Sequence, residues 1–405
     1  MRTQTFRAFR SRNYSLFFTG QSVSMIGTWM QRTAVYWTIY VQTHSAFMLG
    51  VAVFCVQFPS FLFSLFGGIV ADRNNRYKVM LITQIFSMTQ AVLLALIVLF
   101  THYTVAEILA LSIVLGIINA FDVPARQSLV HDMVEKKEDL GNAIALNSTM
   151  NNLARLIGPA ISGIILDRLG AGACFFMNAL SFIAVIGTLL MMRLPSYVPI
   201  PRTQKAMEGL TDGLKYLKST PSIGRLVLLI ALCSLIVIPY ITLLPVVAKM
   251  TLNGNASTYG YLNSFTGIGA IAGAIFLASV KPQINLSKVL VFILSVLGLG
   301  LILLSRTHNL LLALMFTTIA GFALMSLSTI INTLLQTMSS TAMRGRVISY
   351  FAMAYFGMQP VGSLLIGGIS NYAGTPATIL SQGIAAFLIM LLFFPYLWKG
   401  LRAND

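Results

Sequence analysis

The chain has 405 residues, of which 57% are hydrophobic and 9% charged, and its mean hydropathy is +0.81. Soluble domains carry about 25% charged residues, so this composition excludes an ordinary soluble fold. A formal net charge of +16 is also typical of nucleic-acid-binding proteins, so the positions of the basic residues have to distinguish the two interpretations.

A helix needs about 20 largely apolar residues to cross a bilayer. The sequence predicts an all-α membrane protein with twelve such transmembrane helices. They are expected at residues 14–40, 47–70, 79–100, 104–125, 142–166, 172–193, 223–248, 257–280, 287–305, 309–335, 347–370 and 376–398.

If these helices start and end in the cytoplasm, most of the 27 lysines and arginines lie in cytoplasmic segments. The opposite face keeps Arg168, Lys249 and Arg306. Basic residues are enriched on the cytoplasmic side of membrane proteins, so this asymmetry places both termini in the cytoplasm. The basic charge therefore orients the chain in the membrane, and we expect no nucleic-acid partner.

The longest polar stretch separates the first six predicted helices from the last six. We predict an N-terminal six-helix bundle at 1–193, a cytoplasmic linker at 194–222 and a C-terminal six-helix bundle at 223–405. A few residues recur between the halves, and duplicated halves place a substrate site between them near the middle of the membrane. The recurring pairs are Gly50 with Gly260 and Lys78 with Lys288 at a shift of 210 residues, and Gly163 with Gly367, Asp167 with Asn371 and Gly170 with Gly374 at a shift of 204.

Residues 67–78, between the second and third predicted helices, read Gly-Gly-Ile-Val-Ala-Asp-Arg-Asn-Asn-Arg-Tyr-Lys. This segment resembles the signature of the major facilitator superfamily, in which a glycine and three residues precede an Asp-Arg pair and further basic residues. The resemblance implies the pseudo-symmetric major facilitator fold, transport by alternating access and a gating function for this segment. The alternative is an ordinary basic cytoplasmic turn. The residues that fill the pattern are Gly68, Asp72, Arg73, Arg76 and Lys78.

A wider resemblance covers nearly the whole chain and is weakest in predicted helices seven to nine. The strings Gly27-Thr28-Trp29-Met30-Gln31, Pro124-Ala125-Arg126-Gln127, Asn152-Leu153-Ala154-Arg155-Leu156-Ile157-Gly158-Pro159 and Arg344-Gly345-Arg346-Val347 carry it. They look like the branch of the superfamily that includes bacterial enterobactin exporters and macrolide efflux proteins. This implies a proton-coupled exporter in the bacterial cytoplasmic (inner) membrane. The second half departs from the pattern, because Pro282 falls at the position that matches Asp72.

Asp122 is a carboxylate inside the fourth predicted helix, near its cytoplasmic end. In the superfamily a carboxylate at this place joins the Asp and Arg of the motif in a charge relay. The resemblance therefore implies a gate formed by Asp72, Arg76 and Asp122, held by paired charge in low dielectric. Two alternatives stay open: Asp122 carries protons, or it pairs with Arg126 one helical turn further on.

Two arginines, Arg32 and Arg155, stand inside predicted helices, where a charge costs about 2.5–3.5 kcal/mol on insertion scales. Such residues normally face a polar interior. Acids are scarce there, so the arginines favour an anionic or aromatic amphipathic cargo, because guanidinium is a planar fork for carboxylate or catecholate. The alternative is that they brace helices through backbone carbonyls. The residues expected to bind substrate are Arg32, Gln31, Tyr36, Asn119, Asn151, Arg155, Asn332, Gln336, Tyr355 and Gln359.

Further functional positions are a hinge and a coupling site. Gly158 and Pro159 resemble part of the fifth-helix motif of antiporters and predict a hinge, with an ordinary kink as the alternative. Glu107 is a coupling candidate, with a surface carboxylate at a helix N-terminus as the alternative.

The sequence favours a transporter over an enzyme. No cluster of His, Cys, Asp or Glu in the sequence suggests a metal, a cofactor or a catalytic site. We expect a monomeric secondary active transporter whose partners are the lipid bilayer, a small-molecule cargo and coupling protons. The predicted cargo is a small anionic or amphipathic, siderophore-like compound, and the alternative is a multidrug or macrolide efflux pump of broad specificity.

Overall fold

The computed structural model describes residues 6–194, 206–281 and 283–399, and the regular structure in these ranges is helical. The helices are α1 Arg12–Thr43, α2 Ala46–Arg73, α3 Arg76–Phe100, α4 Val105–Met133, α5 Leu140–Leu169, α6 Ala171–Leu190, α7 Ala206–Ser219, α8 Pro221–Thr251, α9 Ala256–Ser279, α10 Leu286–Arg306, α11 Leu310–Met338, α12 Arg344–Ala373 and α13 Thr375–Lys399. Short single turns lie at Arg7–Arg10 and Lys137–Asp139. The helix of α8 changes its winding at Cys233–Val237, Ile238–Leu243 and Val247–Thr251, and that of α12 at Met353–Gly357.

Helix ends follow short-range sequence signals. The Asn75 side chain accepts hydrogen bonds from the backbone N–H groups of Tyr77 and Lys78, so α3 begins directly after the Asp-Arg turn. Gly170 and Gly374 end α5 and α12 with φ values of 81° and 82°, a left-handed conformation that glycine adopts without steric cost. The two glycines that match at a shift of 204 residues therefore end equivalent helices.

Ten helices in the described ranges are long and apolar enough to cross a membrane, namely α2, α3, α4, α6 and α8 to α13. The other two long helices, α1 and α5, have 32 and 30 residues but more polar compositions. They are the helices that carry Arg32 and Arg155. The predicted all-α membrane fold is confirmed, and the count of twelve membrane-spanning helices stays a prediction.

The chain divides into two compact units. The first comprises Met1–Thr43, Cys55–Arg202 and Asn255–Gly260, and the second comprises His44–Phe54, Thr203–Gly254 and Tyr261–Asp405. The first turns of α9 belong to the first unit and the rest of α9 to the second. Conversely, the first turns of α2 belong to the second unit and the rest of α2 to the first. The predicted bundle boundaries at 193 and 223 stay a prediction, and residues 195–205 of the predicted linker and Pro282 lie outside the described residues.

In the first unit, α1 packs against α5 and α6 at positions where glycine lets two helices approach closely. A Cβ atom on Gly27 would lie 2.5 Å from the side-chain oxygen of Asn178 on α6. A Cβ atom on Gly158 of α5 would lie 2.6 Å from the Cβ atom of Trp29 on α1. The hydroxyl of the fully buried Tyr14 donates to the Ala143 carbonyl at 2.9 Å and joins the starts of α1 and α5. These contacts fix the middle of α5 against the face of α1 that carries Trp29.

In the second unit, the linker helix α7 is tied to the start of α12 by charge. Asp212 accepts from Arg346 across 3.1 Å, and a Cβ atom on Gly213 would lie 2.8 Å from the ring of Tyr350. The Tyr216 hydroxyl accepts from the backbone N–H of Ser340 at 3.3 Å. The described part of the linker is therefore helical and packs on the second unit.

Candidate functional site

Two arginines and one tryptophan form a cluster in the first unit. The guanidinium carbon of Arg32 lies 4.9 Å from the ring centroid of Trp29, one turn earlier on α1. The guanidinium carbon of Arg155, on α5, lies 5.9 Å from the same ring. A cation over tryptophan gains about 0.5–2 kcal/mol. That is less than the roughly 2.5–3.5 kcal/mol that an arginine costs at membrane depth, so stacking alone leaves the two charges incompletely compensated. We call Trp29, Arg32 and Arg155 the arginine–tryptophan cluster.

The two guanidinium groups have no ion pair and no hydrogen bond within the described residues. Bracing through backbone carbonyls, the alternative interpretation, would require such hydrogen bonds. The hydroxyl of Tyr36, one turn beyond Arg32, is also buried without a hydrogen-bond partner in this part of the chain. The cluster and Tyr36 therefore offer unpaired donors that can receive an anionic group.

A polar cavity of about 60 Å³ lies between α1, α3, α4 and α6 of the first unit. On its wall, Asp122 is only 6% exposed. Its carboxylate accepts hydrogen bonds from Thr83 at 2.9 Å and Gln84 at 2.7 Å, and it lies 3.4 Å from Nε of Arg126. The side-chain oxygens of Gln84 and Gln21 are buried without a partner among the described residues. A cavity with several polar groups and this volume accommodates water.

Gln31 and Asn119 also line this cavity. The Gln31 amide donates to Gln90 at 3.0 Å and accepts from Asn178 at 2.7 Å. These bonds connect α1 with α3 and α6, so both ends of the Gln31 amide serve helix packing. Its predicted contact with substrate would compete with these two bonds.

The structure pairs Arg76 with Asp132, and Asp122 with Arg126, so no ion pair joins Arg76 to Asp122 within the described residues. The gating function of Asp72, Arg76 and Asp122 stays a prediction. Arg76 lies 3.2 Å from the Asp132 carboxylate, whereas Asp122 pairs with Arg126. The fourth helix extends to Met133 instead of residue 125, and Asp122 is therefore about 15 Å deeper along it than Asp132. Arg76 begins α3 at the level of Asp132 and pairs there.

The motif glycines have unequal packing. A Cβ atom on Gly67 would overlap the backbone carbonyl of Ala120 on α4. A Cβ atom on Gly68 would meet nothing within 4 Å. Close approach of α2 and α4 therefore depends on Gly67, although Gly68 is the residue that matches the signature. Arg73, at the end of α2, is exposed, and Asp72 is half-buried.

The hinge and coupling candidates have ordinary helical environments. Pro159 lies inside the continuous helix α5, and Gly158 packs against Trp29. Glu107 is exposed and its carboxylate accepts from the backbone N–H of Thr104 at 2.7 Å, as part of the cap that starts α4. This cap is the surface alternative that the sequence left open for Glu107. Asn151 is exposed and donates to the Asn147 carbonyl one turn earlier, at 3.0 Å.

The remaining predicted substrate residues lie in the second unit. The Gln336 amide donates to Asn332 at 3.2 Å along α11. Tyr355 of α12 stacks on Phe351, with ring centroids 5.9 Å apart, and it is half-buried. Gln359, one turn further along α12, is also half-buried. These residues form amide and aromatic surfaces on α11 and α12.

A family model described as "Transmembrane secretion effector", within the major facilitator superfamily, matches residues 3–402. The match spans almost the entire chain. The chain belongs to this family.

Relatives of this chain are named as transporters of different compounds. The staphyloferrin A transporter of Staphylococcus aureus is 28% identical, covering 93% of this chain and 94% of the relative. The enterobactin exporter EntS of Escherichia coli is 25% identical, covering 93% and 89%. The multidrug efflux pump Tap of Mycolicibacterium fortuitum is 22% identical, covering 89% and 90%. The predicted resemblance to this branch is confirmed, and the chain is a multi-pass membrane transporter.

Solved structures share the fold. A mutant of the nucleoside transporter NupG superposes with a TM-score of 0.77 at 12% identity, covering 95% of this chain and 98% of that one. A bacterial homologue of the lysosomal transporter Spinster, in an inward-facing and unoccupied conformation, gives 0.73 at 15% identity over 98% of both chains. At these identities the likeness concerns the fold alone.

Four residues that the structure places in these contacts of the family member were not predicted from the sequence. Trp29 belongs to one of the strings that carry the resemblance, and its place one turn from Arg32 is the signal that could have indicated its contact with both arginines. Asp132 was hidden by the underestimated length of α4. Thr83 and Gln84 could be found only from the register between α3 and α4, which no local pattern specifies.

Proposed function

We propose that this protein is a secondary active exporter of small anionic or amphipathic organic compounds, and that the arginine–tryptophan cluster receives the anionic group of the cargo. The observation that carries the proposal is the presence of two half-buried guanidinium groups on one indole ring without an acidic partner in the described structure. Guanidinium binds carboxylate or catecholate oxygens through paired hydrogen bonds, and the indole ring offers an aromatic surface beside them.

Charge in the rest of the first unit supports an anionic cargo. Among the described long helices, Asp122 is the carboxylate that lies away from the helix ends, and Arg126 already pairs with it. At the cluster a quaternary amine would therefore meet two unpaired cations and, within the described part of the chain, no unpaired acid. The named relatives include transporters of staphyloferrin A and enterobactin, which supports a siderophore-like cargo for this chain.

The proposed topology has both termini in the cytoplasm and twelve spanning helices, with α1 and α5 completing the ten apolar ones. Helices that carry unpaired arginines are expected to be less apolar, because those residues face the polar path and not the lipid. Transport then proceeds by alternating access, in which Arg76 and Asp132 separate and reform their ion pair at the cytoplasmic end of α3 and α4.

The cargo is tested by untargeted mass spectrometry of culture medium from cells with and without the protein, under iron starvation and in rich medium. We expect an anionic compound that appears in the medium only when the protein is present and accumulates inside cells without it. Arg32→Gln is expected to lower this export at least tenfold, and Arg32→Lys, which keeps the charge, is expected to lower it less. Export of only quaternary amines, unchanged in Arg32→Gln, would contradict the proposal and favour the broad multidrug pump.

We further propose that export is coupled to proton entry and that Asp122 binds the proton. The carboxylate lies on the wall of a polar cavity that accommodates water, and Arg126 is placed to pair with it when it is charged. Protonation would release Arg126 from Asp122 and so change the electrostatics of α4 in one step.

Proton coupling is tested with purified protein in liposomes under an imposed pH gradient. We expect Asp122→Asn to lose acceleration of efflux by the gradient while it retains exchange of cargo in the absence of a gradient. Asp132→Asn, on the same helix, is the matched control and should alter both processes equally. A gradient response that survives in Asp122→Asn would contradict the assignment of Asp122.

A further inference from the structure

A second feature of the first unit lies where α5 ends and α9 begins. One carboxylate oxygen of Asp167 accepts from the backbone N–H of Ala256 at 3.0 Å. The other accepts from the backbone N–H of Ser257 at 2.9 Å and from the Ser257 hydroxyl. We call these contacts of Asp167 with the first turn of α9 the α5–α9 junction.

At the α5–α9 junction, Asp167 accepts hydrogen bonds from backbone N–H groups at the start of α9. The first N–H groups of a helix have no partner within it, and the helix dipole is positive at this end. Asp167 takes the first two N–H groups of α9, and the Asn255 side chain takes that of Thr258 at 3.1 Å. A negative charge supplied from another helix therefore holds the start of α9 against the end of α5.

Backbone contact accompanies the charge. A Cβ atom on Gly163 of α5 would lie 2.8 Å from the Ala256 carbonyl oxygen, and one on Gly260 of α9 would lie 3.1 Å from the Gly163 Cα. The rings of Trp37 and Tyr259 stack beside them with centroids 6.0 Å apart. The backbones of α5 and α9 are therefore in contact at Gly163 and Gly260, and each of these glycines has a counterpart in the sequence repeat.

The second unit contains the equivalent junction between α12 and α2. A Cβ atom on Gly367 would lie 2.6 Å from the Ala46 carbonyl oxygen, and one on Gly50 would lie 3.0 Å from the Leu364 Cα. At the position that matches Asp167 stands Asn371, which accepts from the Ser45 hydroxyl at 3.4 Å. Three of the recurring pairs therefore mark two packed helix junctions, namely Gly50 with Gly260, Gly163 with Gly367 and Asp167 with Asn371, and the junctions differ in charge at the last of these.

We infer that Asp167 is a gating residue that fastens the start of α9 and releases it once in each export cycle, while the neutral α2–α12 junction separates more readily. This inference rests on the proposed export and on the proposed topology, which places both junctions at the external end. In the proposed cycle the start of α9 separates from the end of α5 when cargo leaves. The charge difference between Asp167 and Asn371 makes the two closures unequal in strength.

The test is amide hydrogen exchange of the full-length protein in lipid nanodiscs without cargo, followed by mass spectrometry. Asp167→Ala should raise exchange at residues 256–260 by roughly five- to tenfold, the change expected for loss of a helix cap, and leave residues 46–50 unchanged. Asn371→Asp should slow exchange at 46–50 and lower the rate of efflux measured in parallel. Arg168→Ala removes the neighbouring charge of α5 and should change neither segment.

Ser257→Ala removes only the hydroxyl contact and should give a smaller increase at 256–260, which keeps the test available if Asp167→Ala does not fold. Unchanged exchange at 256–260 in Asp167→Ala, or equal increases at both junctions, would overturn the inference. Faster exchange at 256–260 in Asp167→Ala with an unchanged efflux rate would overturn the gating function of Asp167 but not the proposed export. Because exchange is measured without cargo, failure of the export proposal would appear separately, as absence of efflux in the wild-type protein.

Discussion

The two adjacent glycines of the α2 motif are expected to respond in opposite ways to the same substitution. A methyl group on Gly67 overlaps the Ala120 carbonyl oxygen, which is backbone and cannot rotate away. A methyl group on Gly68 enters open space. Both residues lie in the same helix and undergo the same chemical change. A difference in stability between the two alanine variants therefore reports the difference in packing at the two positions.

The magnitude follows from two opposing terms. Glycine to alanine in a helix gains about 1 kcal/mol from helix propensity, and both variants share this term. Overpacking costs about 1–3 kcal/mol and occasionally more, and only Gly67→Ala incurs it. Gly68→Ala should thus be neutral or stabilising by up to about 1 kcal/mol. Gly67→Ala should be less stable than Gly68→Ala by about 2 kcal/mol, because α2 and α4 have to separate.

The assay is the thermal midpoint of the purified protein in detergent, read by size-exclusion chromatography after heating. We expect Gly67→Ala to melt several degrees below Gly68→Ala, with Gly67→Leu lower still. Equal midpoints for the two alanine variants would refute the assignment of the α2–α4 contact to Gly67. A thermal midpoint lower for Gly68→Ala than for Gly67→Ala would show that Gly68, the glycine of the signature, makes the close helix contact.

Three further predictions concern the charges and amides of the first unit. A double-mutant cycle of Arg76→Ala with Asp132→Ala should give a coupling on the order of 0.5 kcal/mol in thermal stability, as for other partly exposed pairs, whereas Arg76 with Asp122 should give none. Glu107→Gln should leave the response of efflux to a pH gradient unchanged and shift stability by at most about 1 kcal/mol, and loss of the gradient response would restore Glu107 as a coupling residue. Gln31→Leu should lower stability by about 1–3 kcal/mol, because it leaves the buried amides of Gln90 and Asn178 without their partner, and a neutral effect would refute that network.

The sequence predicted features that depend on composition and local pattern. Apolar length placed the helices. The pair Gly170 and Gly374, which recurs at a shift of 204 residues, lies at the ends of α5 and α12. The signature string between α2 and α3 led to the family, which the match over residues 3–402 then confirmed. Arg32 and Arg155 were singled out because charge in an apolar stretch is costly wherever the helix lies.

Contacts between helices were harder to predict, because they depend on helix length and register. The resemblance implies a gating function for Asp122, near the end of a fourth helix that is predicted to stop at residue 125. In the structure this helix continues to Met133, and Asp132 lies at the level of Arg76. The choice between Gly67 and Gly68 is a matter of 100° around one helix, which a linear motif does not encode. Asp167 appeared only as one identity in a repeat, and its function required the position of a helix distant in sequence.

The central claim is that the arginine–tryptophan cluster binds an anionic cargo during export. Its most direct test is efflux of an anionic siderophore from liposomes containing the purified wild-type protein, Arg32→Lys or Arg32→Gln, beside efflux of an ethidium-like cation. We expect efflux of the anion that falls at least tenfold in Arg32→Gln and less in Arg32→Lys, with little efflux of the cation. Robust efflux of the cation, with the same rate in all three proteins, would contradict it.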